Sequence, residues 1–272
     1  MENSKDKKKS LFIKSYGCQM NEYDSERMLE ILEPFNYSSV AGPEDADLII
    51  LNTCHIREKA AEKIYSELGR IKKIYRTKKR DTKIAVAGCV GQAEGQEIIN
   101  RSPIVDLVFG PLTYHQLPEM LENINTEKGL PNKKLVNIDV PDVDKFKEMK
   151  GSRKSLRSIS SLLSIQEGCD KFCSFCVVPY TRGVEISRPA NQIMKEASEL
   201  IEAGAKELIL LGQNVNAWNG RVSGNKNWSF PNLIRELSKL DIARIRYITS
   251  HPRDMTDELM RSHQDVEKLQ PY

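Results

Sequence analysis

Short apolar runs alternate along the chain with stretches in which apolar residues return every three or four positions, the pattern of β-strands interleaved with amphipathic helices. "LFIKSYGC" from Leu11 reads as a strand and "NEYDSERMLEILEPF" from Asn21 as a helix. "DLIILNTC" is apolar almost throughout, which predicts a strand buried on both faces. "IREKAAEKIYSELGRIKKIY" follows as a helix with Ile64, Leu68, Ile71 and Tyr75 on one face. "KIAVAGC" and "VDLVFG" are further strands, with a short helix "EGQEIINRS" stopped by Pro103 and another at "HQLPEMLENIN". Strands separated by helices predict a parallel sheet, so residues 11–125 are expected to form a doubly wound α/β domain.

Residues 126–158 lose this periodicity and fill with Lys, Asp, Pro, Gly and Ser, which reads as a linker with one short strand at "KLVNIDV". A second alternation occupies residues 159–272: strand "LLSIQEGC", helix "NQIMKEASELIEAG" capped by Asn191 and ended at Gly204, strand "KELILLGQN", helix "PNLIRELSKL", strand "ARIRYITS" and helix "DMTDELMRS". Three β-α units do not close a β/α barrel, which takes about 250 residues. The expectation is the first half of a partial β/α barrel, and the sequence reads as a fragment of a longer chain.

Composition changes this picture mainly by exclusion. With 39% hydrophobic and 29% charged residues the chain is globular in type, and no apolar run approaches the roughly 18 residues that span a bilayer. The opening "MENSKDKKKS" is basic and polar with no apolar segment behind it, unlike a secretion signal. A cytoplasmic location with no membrane contact is expected, and in that reducing compartment six cysteines argue for metal binding or catalysis over disulfides. The net charge of +3 is too small to mark a nucleic-acid binder. Residues 70–83, "RIKKIYRTKKRDTK", suit phosphate contact and base stacking by Tyr75, and equally suit the solvated end of a long helix.

The cysteines fall into two sets. Cys18, Cys54 and Cys89 each follow the end of a predicted strand, and in a parallel sheet those ends share one edge, where ligands bind. Gly17 and Gly88 allow close backbone approach there, and Thr53 offers a hydroxyl. The plainer alternative is three small buried apolar residues. Cys169, Cys173 and Cys176 form C-x3-C-x2-C on one loop, so three thiolates reach one centre. Structural zinc usually takes four protein ligands, and no fourth cysteine or histidine lies near in sequence. Iron–sulfur clusters are normally held by four cysteines, so three per site leave one iron open to a substrate or cofactor.

The segment "CDKFCSFC" after a first barrel strand resembles the cluster motif of radical S-adenosylmethionine enzymes. "YGCQMNEYDSERM", "LNTCHIREKA" and "VAGCVGQ" resemble the three cluster motifs of the methylthiotransferases of that superfamily. "VVPYTRGVEISRP", "LLGQNVNAW" and "YITSHPRDM" resemble their radical-domain motifs, and the likeness runs from Leu11 to Tyr272. It implies two [4Fe-4S] clusters: an auxiliary one on Cys18, Cys54 and Cys89 whose open iron carries sulfur or methylsulfide, and a radical-generating one on Cys169, Cys173 and Cys176. The second would chelate S-adenosylmethionine and yield a 5′-deoxyadenosyl radical. By the same resemblance Phe175 packs on the adenine of that cofactor, Gly212, Gln213 and Asn214 lie by its amino group, and Ser250 meets its ribose or carboxylate. Glu185 and Arg188 either meet the cofactor or form a structural pair.

Within the family, "GCQMNEYDSE" resembles the members that methylthiolate the 2-position of isopentenyl-adenosine beside the tRNA anticodon. That C–H bond offers no acidic proton and no leaving group, so the chemistry belongs to a cofactor-derived radical. The implied partners are a tRNA anticodon stem-loop, a flavodoxin-type electron donor and a sulfur source, with the protein a monomer. Family members continue with three further β-α units and a small tRNA-gripping β-barrel, both expected to be absent from these 272 residues. Two other readings stand beside this one: a chain that binds clusters without turnover, and a zinc-bearing nucleic-acid-binding module completed by His55, His115, His251 or His263.

Overall fold

A computed structural model describes residues 8–55, 58–78, 82–124, 133–140, 146, 158–222 and 226–271. The chain divides into two compact units, Met1–Lys150 and Gly151–Tyr272. Among the described residues no helix is long and apolar enough to cross a membrane.

The first unit is built on strands β1 (Lys9–Tyr16), β2 (Tyr37–Ser39), β3 (Leu48–Thr53), β4 (Lys83–Gly88), β5 (Leu107–Phe109) and β6 (Leu135–Asn137). Its helices are α1 (Gln19–Leu32), α2 (Glu58–Lys78), α3 (Cys89–Glu94), α4 (Gln96–Arg101) and α5 (Leu117–Ile124). The strands order as β2-β1-β3-β4-β5-β6 with every neighbour parallel. The order reverses between β1 and β3, and such a switch opens a crevice at the carboxyl ends of those two strands. The strand expected at "KLVNIDV" is the sixth of this sheet, with Leu135 beside Leu107.

Helices cover both faces, which is why every residue of β3 is buried. Leu48 and Ile50 face Met28 and Leu32 of α1 and Leu117 of α5. Ile49 and Leu51 face Ile64, Leu68 and Ile71 of α2. Each such side chain contributes about 1.5–3 kcal/mol on burial, so the two apolar faces together hold the sheet against the entropy of ordering it. Tyr75 packs on this α2 core and donates its hydroxyl to the Pro43 carbonyl at 2.6 Å. The tyrosine proposed as a base-stacking platform is therefore committed to the fold, while residues 79–81 of the basic run lie outside the described residues.

The second unit contains β7 (Ser160–Ser164), β8 (Gln166–Glu167), α6 (Val178–Arg182), β9 (Ile186–Ser187), α7 (Ala190–Glu202), β10 (Glu207–Leu211), β11 (Asn219–Arg221), β12 (Asn227–Ser229), α8 (Phe230–Ser238), β13 (Arg244–Tyr247) and α9 (Asp257–Asp265). Its main sheet is parallel, in the order β13-β10-β7. Leu163, Leu208, Leu210 and Ile245 form one core with Ile193 and Leu200 of α7, Leu233 and Leu237 of α8, and Leu259 of α9. Beyond β13, Ile245 N–H donates to the Lys268 carbonyl at 2.7 Å and Gln270 N–H to the Ile245 carbonyl at 2.9 Å, the start of a fourth parallel strand. This is the opening half of a β/α barrel.

One helix start differs from expectation. Helix α7 begins at Ala190 behind Pro189, whose φ of −57° already suits a first turn, and Asn191 lies inside that turn without capping it.

Candidate functional site

In the first unit Tyr16, Thr53 and Gly88 stand side by side in register on β1, β3 and β4. The cysteines follow at once: Cys54 and Cys89 one residue on, Cys18 two residues on at the N-cap of α1. Adjacent strands lie about 4.8 Å apart, so register alone brings the three to one edge, at the switch point. Cys54 N–H donates to the Tyr16 carbonyl at 2.9 Å. Gly17, at φ +148°, lets the backbones meet, since a Cβ there would lie 2.4 Å from that of Cys54. Cys18 is exposed, whereas Cys54 and Cys89 are buried.

Beneath these cysteines lies a polar floor that sequence reasoning missed. Cys18 Sγ stands 3.2 Å from Asn21 Oδ1, and Asn21 Nδ2 donates to Asn52 Oδ1 at 3.2 Å. Asn52 Nδ2 in turn donates to the Asn21 carbonyl at 2.8 Å and to Ser25 Oγ at 2.9 Å. Both asparagines are fully buried, and the signal was their place within "GCQMN" and "LNTC".

In the second unit the C-x3-C-x2-C loop leaves β7 and is pinched at its base by the antiparallel pair β8–β9. The Arg182–Glu167 ion pair at 2.6 Å is buried inside that base. Gly168 opens the loop at φ +74°, where a Cβ would stand 1.9 Å from the Val184 carbonyl oxygen. Cys169 is buried while Cys173 and Cys176 are half-buried. Burial pushes the Cys169 thiol above its ordinary value, and the nearby Glu185, Cys176 and Cys173 add to the push. A metal centre among them would reverse that, since its positive charge favours thiolates.

Three segments after β7, β10 and β13 interlock around this loop. The buried Gln166 amide accepts N–H bonds from Gln213 at 2.8 Å and Asn214 at 3.0 Å, and donates to the Gly168 carbonyl at 2.9 Å. Gln213 Oε1 accepts the Gly168 N–H. Asn214 Nδ2 donates to Asp254 Oδ2 at 2.8 Å, and the Gly212 carbonyl accepts from Thr249 Oγ1 at 2.7 Å. Burial alone would raise the Asp254 carboxyl, yet hydrogen bonds from Asn214 and Lys171 outweigh it and hold it below its ordinary range. Burial and the charge of Asp170 raise that of Glu185.

The remaining candidates divide. Phe175 leaves 92% of its surface open beside Cys176. Ser250 is exposed and lines a cavity of about 530 Å³ with Tyr247, Thr249 and His263. Arg188 bonds Glu196 at 2.6 Å and the Ser164 carbonyl at 3.1 Å. Among the described residues no three His, Cys, Asp or Glu side chains close on a single-ion site.

Residues 10–110 match the Uncharacterized protein family UPF0004, and residues 163–269 match the Radical SAM superfamily. Proteins named tRNA-2-methylthio-N(6)-dimethylallyladenosine synthase from Ruegeria pomeroyi and Bartonella quintana are 56% identical over 265 residues and 54% identical over 270, each alignment covering 97% of this chain. The chain belongs to the radical S-adenosylmethionine methylthiotransferase family. It spans 59% and 58% of the length of those two relatives. In fold this methylthiotransferase-family chain is similar to the radical S-adenosylmethionine methyltransferase TsrM from Kitasatospora setae, with a TM-score of 0.59 at 12% identity over 95% of this chain and 57% of that one. It is also similar to the cobalamin-dependent S-adenosylmethionine radical enzyme OxsB, with a TM-score of 0.53 at 14% identity over 89% of this chain and 38% of that one.

Proposed function

We propose that the chain is the cluster-bearing part of a tRNA methylthiotransferase, with one [4Fe-4S] cluster on Cys169, Cys173 and Cys176 and a second on Cys18, Cys54 and Cys89. The observation that carries this reading is the donor set: three cysteines follow the carboxyl ends of adjacent parallel strands in the first unit, three more share one loop in the second, and the six exhaust the chain's supply. A fourth position is thereby left in each for a ligand that is not protein. When bound, the loop cluster supplies the electron that turns S-adenosylmethionine into a source of a carbon radical, which reaches a C–H bond that side-chain acids and bases do not.

The chain's own residues bind and orient. The open ring of Phe175 covers the cofactor's adenine. Gly212, Gln213 and Asn214 lie by its methionine amino group, in a turn that Gln166, Gly168 and Asp254 hold in place. Ser250, on the cavity after β13, meets the ribose or carboxylate. Glu185 lies beside Cys169, and Arg188 acts as scaffold through Glu196. Such positioning converts an encounter of several reactants into one step within a single site.

The substrate in this reading is isopentenyl-adenosine in a tRNA anticodon stem-loop, whose unpaired bases can be splayed out and stacked on aromatic side chains. A flavodoxin-type reductant, a monomeric protein and a cytoplasmic location complete it. Incubating the reduced, reconstituted chain with S-adenosylmethionine should release 5′-deoxyadenosine and methionine, and the Cys176→Ala variant should not. With an isopentenylated stem-loop the 2-methylthio product should follow. Clusters that load fully and never cleave S-adenosylmethionine would leave a cluster-binding chain without turnover.

A further inference from the structure

Cys173 has a neighbour outside its own motif. His251, on the loop after β13, brings Nε2 to 3.8 Å from Cys173 Sγ. The other side of the ring settles its tautomer. Nδ1 accepts the backbone N–H of Arg253 at 3.2 Å, so in the neutral ring the proton sits on Nε2, facing the sulfur.

The residue is held from every side. His251 N–H donates to Asn216 Oδ1 at 2.9 Å and to Asn214 Oδ1 at 3.2 Å, and Asn216 Nδ2 donates back to the His251 carbonyl at 2.9 Å. Asp254, three residues on, accepts from Lys171 Nζ at 2.8 Å and thereby ties the same loop to the cysteine loop. Asn214 and Asn216 are buried, so water does not compete freely for these bonds.

We infer that His251 is a positioning residue for Cys173: its Nε2–H donates to the thiolate sulfur and raises the reduction potential of the cluster bound there. This rests on the reading that Cys169, Cys173 and Cys176 hold a [4Fe-4S] cluster. Hydrogen bonds to the sulfurs are among the levers that set such potentials, because they draw charge from the ligand and favour the more negative, reduced state.

The test is a potentiometric titration of the reconstituted 272-residue chain followed by electron paramagnetic resonance. The relevant cluster is the one whose signal changes when S-adenosylmethionine is added. In His251→Phe its midpoint should move to a more negative potential while that of the other cluster stays, and His251→Gln, which retains an N–H, should recover part of the shift. A second measurement reads the wild type itself: with 15N-histidine the reduced chain should show a nitrogen coupling, and its assignment to His251 is checked by its survival in His55→Gln and its loss in His251→Phe. Identical midpoints in wild type and His251→Phe at equal iron content overturn the inference, as does the lack of that coupling. Failure of the wild-type loop to take up any cluster overturns the reading beneath it instead.

Discussion

Gln166 is the side chain on which three loops of the second unit meet, and replacing it with leucine tests that directly. The substitution leaves an apolar side chain of broadly similar size and removes three hydrogen bonds: those accepted from the backbone N–H groups of Gln213 and Asn214, and that donated to the Gly168 carbonyl. Neutral hydrogen bonds contribute about 1 kcal/mol each, and a group left buried and dry loses up to ~3 kcal/mol. Gln166 is fully buried and leucine offers no substitute partner, so the expected loss is at least about 3 kcal/mol. Both tryptophans of the chain, Trp218 and Trp228, lie in this unit, so their fluorescence reports its unfolding separately from the first unit. With a urea slope of about 2 kcal/mol/M, the midpoint should fall by roughly 1.5 M. A change inside about 0.5 kcal/mol, the range of ordinary surface substitutions, would refute the assignment of Gln166 as the keystone of the loops.

Other expectations follow from single contacts. Gly168→Ala places a side chain at φ +74°, which disfavours L-residues by about 1–2 kcal/mol, and drives its Cβ into the Val184 carbonyl; the cysteine loop should lose its shape, and iron uptake by that site should drop while the first unit's uptake is unchanged. Tyr75→Phe removes the hydrogen bond to Pro43, so the first unit should lose about 1 kcal/mol in a thermal melt, with no specific loss of RNA affinity. Glu207 spans the sheet of the second unit: burial alone would raise its carboxyl, but hydrogen bonds from Ser160 on β7 and Arg246 on β13 hold it below the ordinary 4.5. Its contribution is therefore present above pH 4.5 and lost as pH falls through the lower folded value. The stability gap between wild type and Glu207→Gln should shrink on acidification, and a gap that is flat with pH would count against it.

Most of the fold was legible because its strongest elements are periodic or continuously apolar. β3 read as a buried run and β4 as a further strand, and the stripe of Ile64, Leu68, Ile71 and Tyr75 on α2 is the stripe that packs. What escaped was short or long-range. β2 is the three residues "YSS", and β8 and β9 are two residues each, too few to show a period. The pair β11–β12 carries only Trp228 as a large apolar side chain.

The site divides in the same way. The six cysteines were visible because each set repeats one topological or spacing rule. Asn21, Asn52 and Gln166 were not, because each acts through partners that only the folded chain brings near: Gln166 meets residues 47 and 48 positions away. Polar residues in a strand or loop give no periodic signal. Only their nearness to a cysteine motif marked them.

Metal content decides whether the two sets of three cysteines each hold a four-iron cluster. Anaerobic reconstitution of the chain, followed by iron and sulfide analysis, should give roughly eight irons and eight sulfides, four of each per site. The Cys18/Cys54/Cys89→Ala and Cys169/Cys173/Cys176→Ala triple variants should each retain about half, with the first losing the signal insensitive to S-adenosylmethionine and the second losing the sensitive one. A chain that takes up zinc in place of iron, or triple variants that both keep the full complement, would contradict the account.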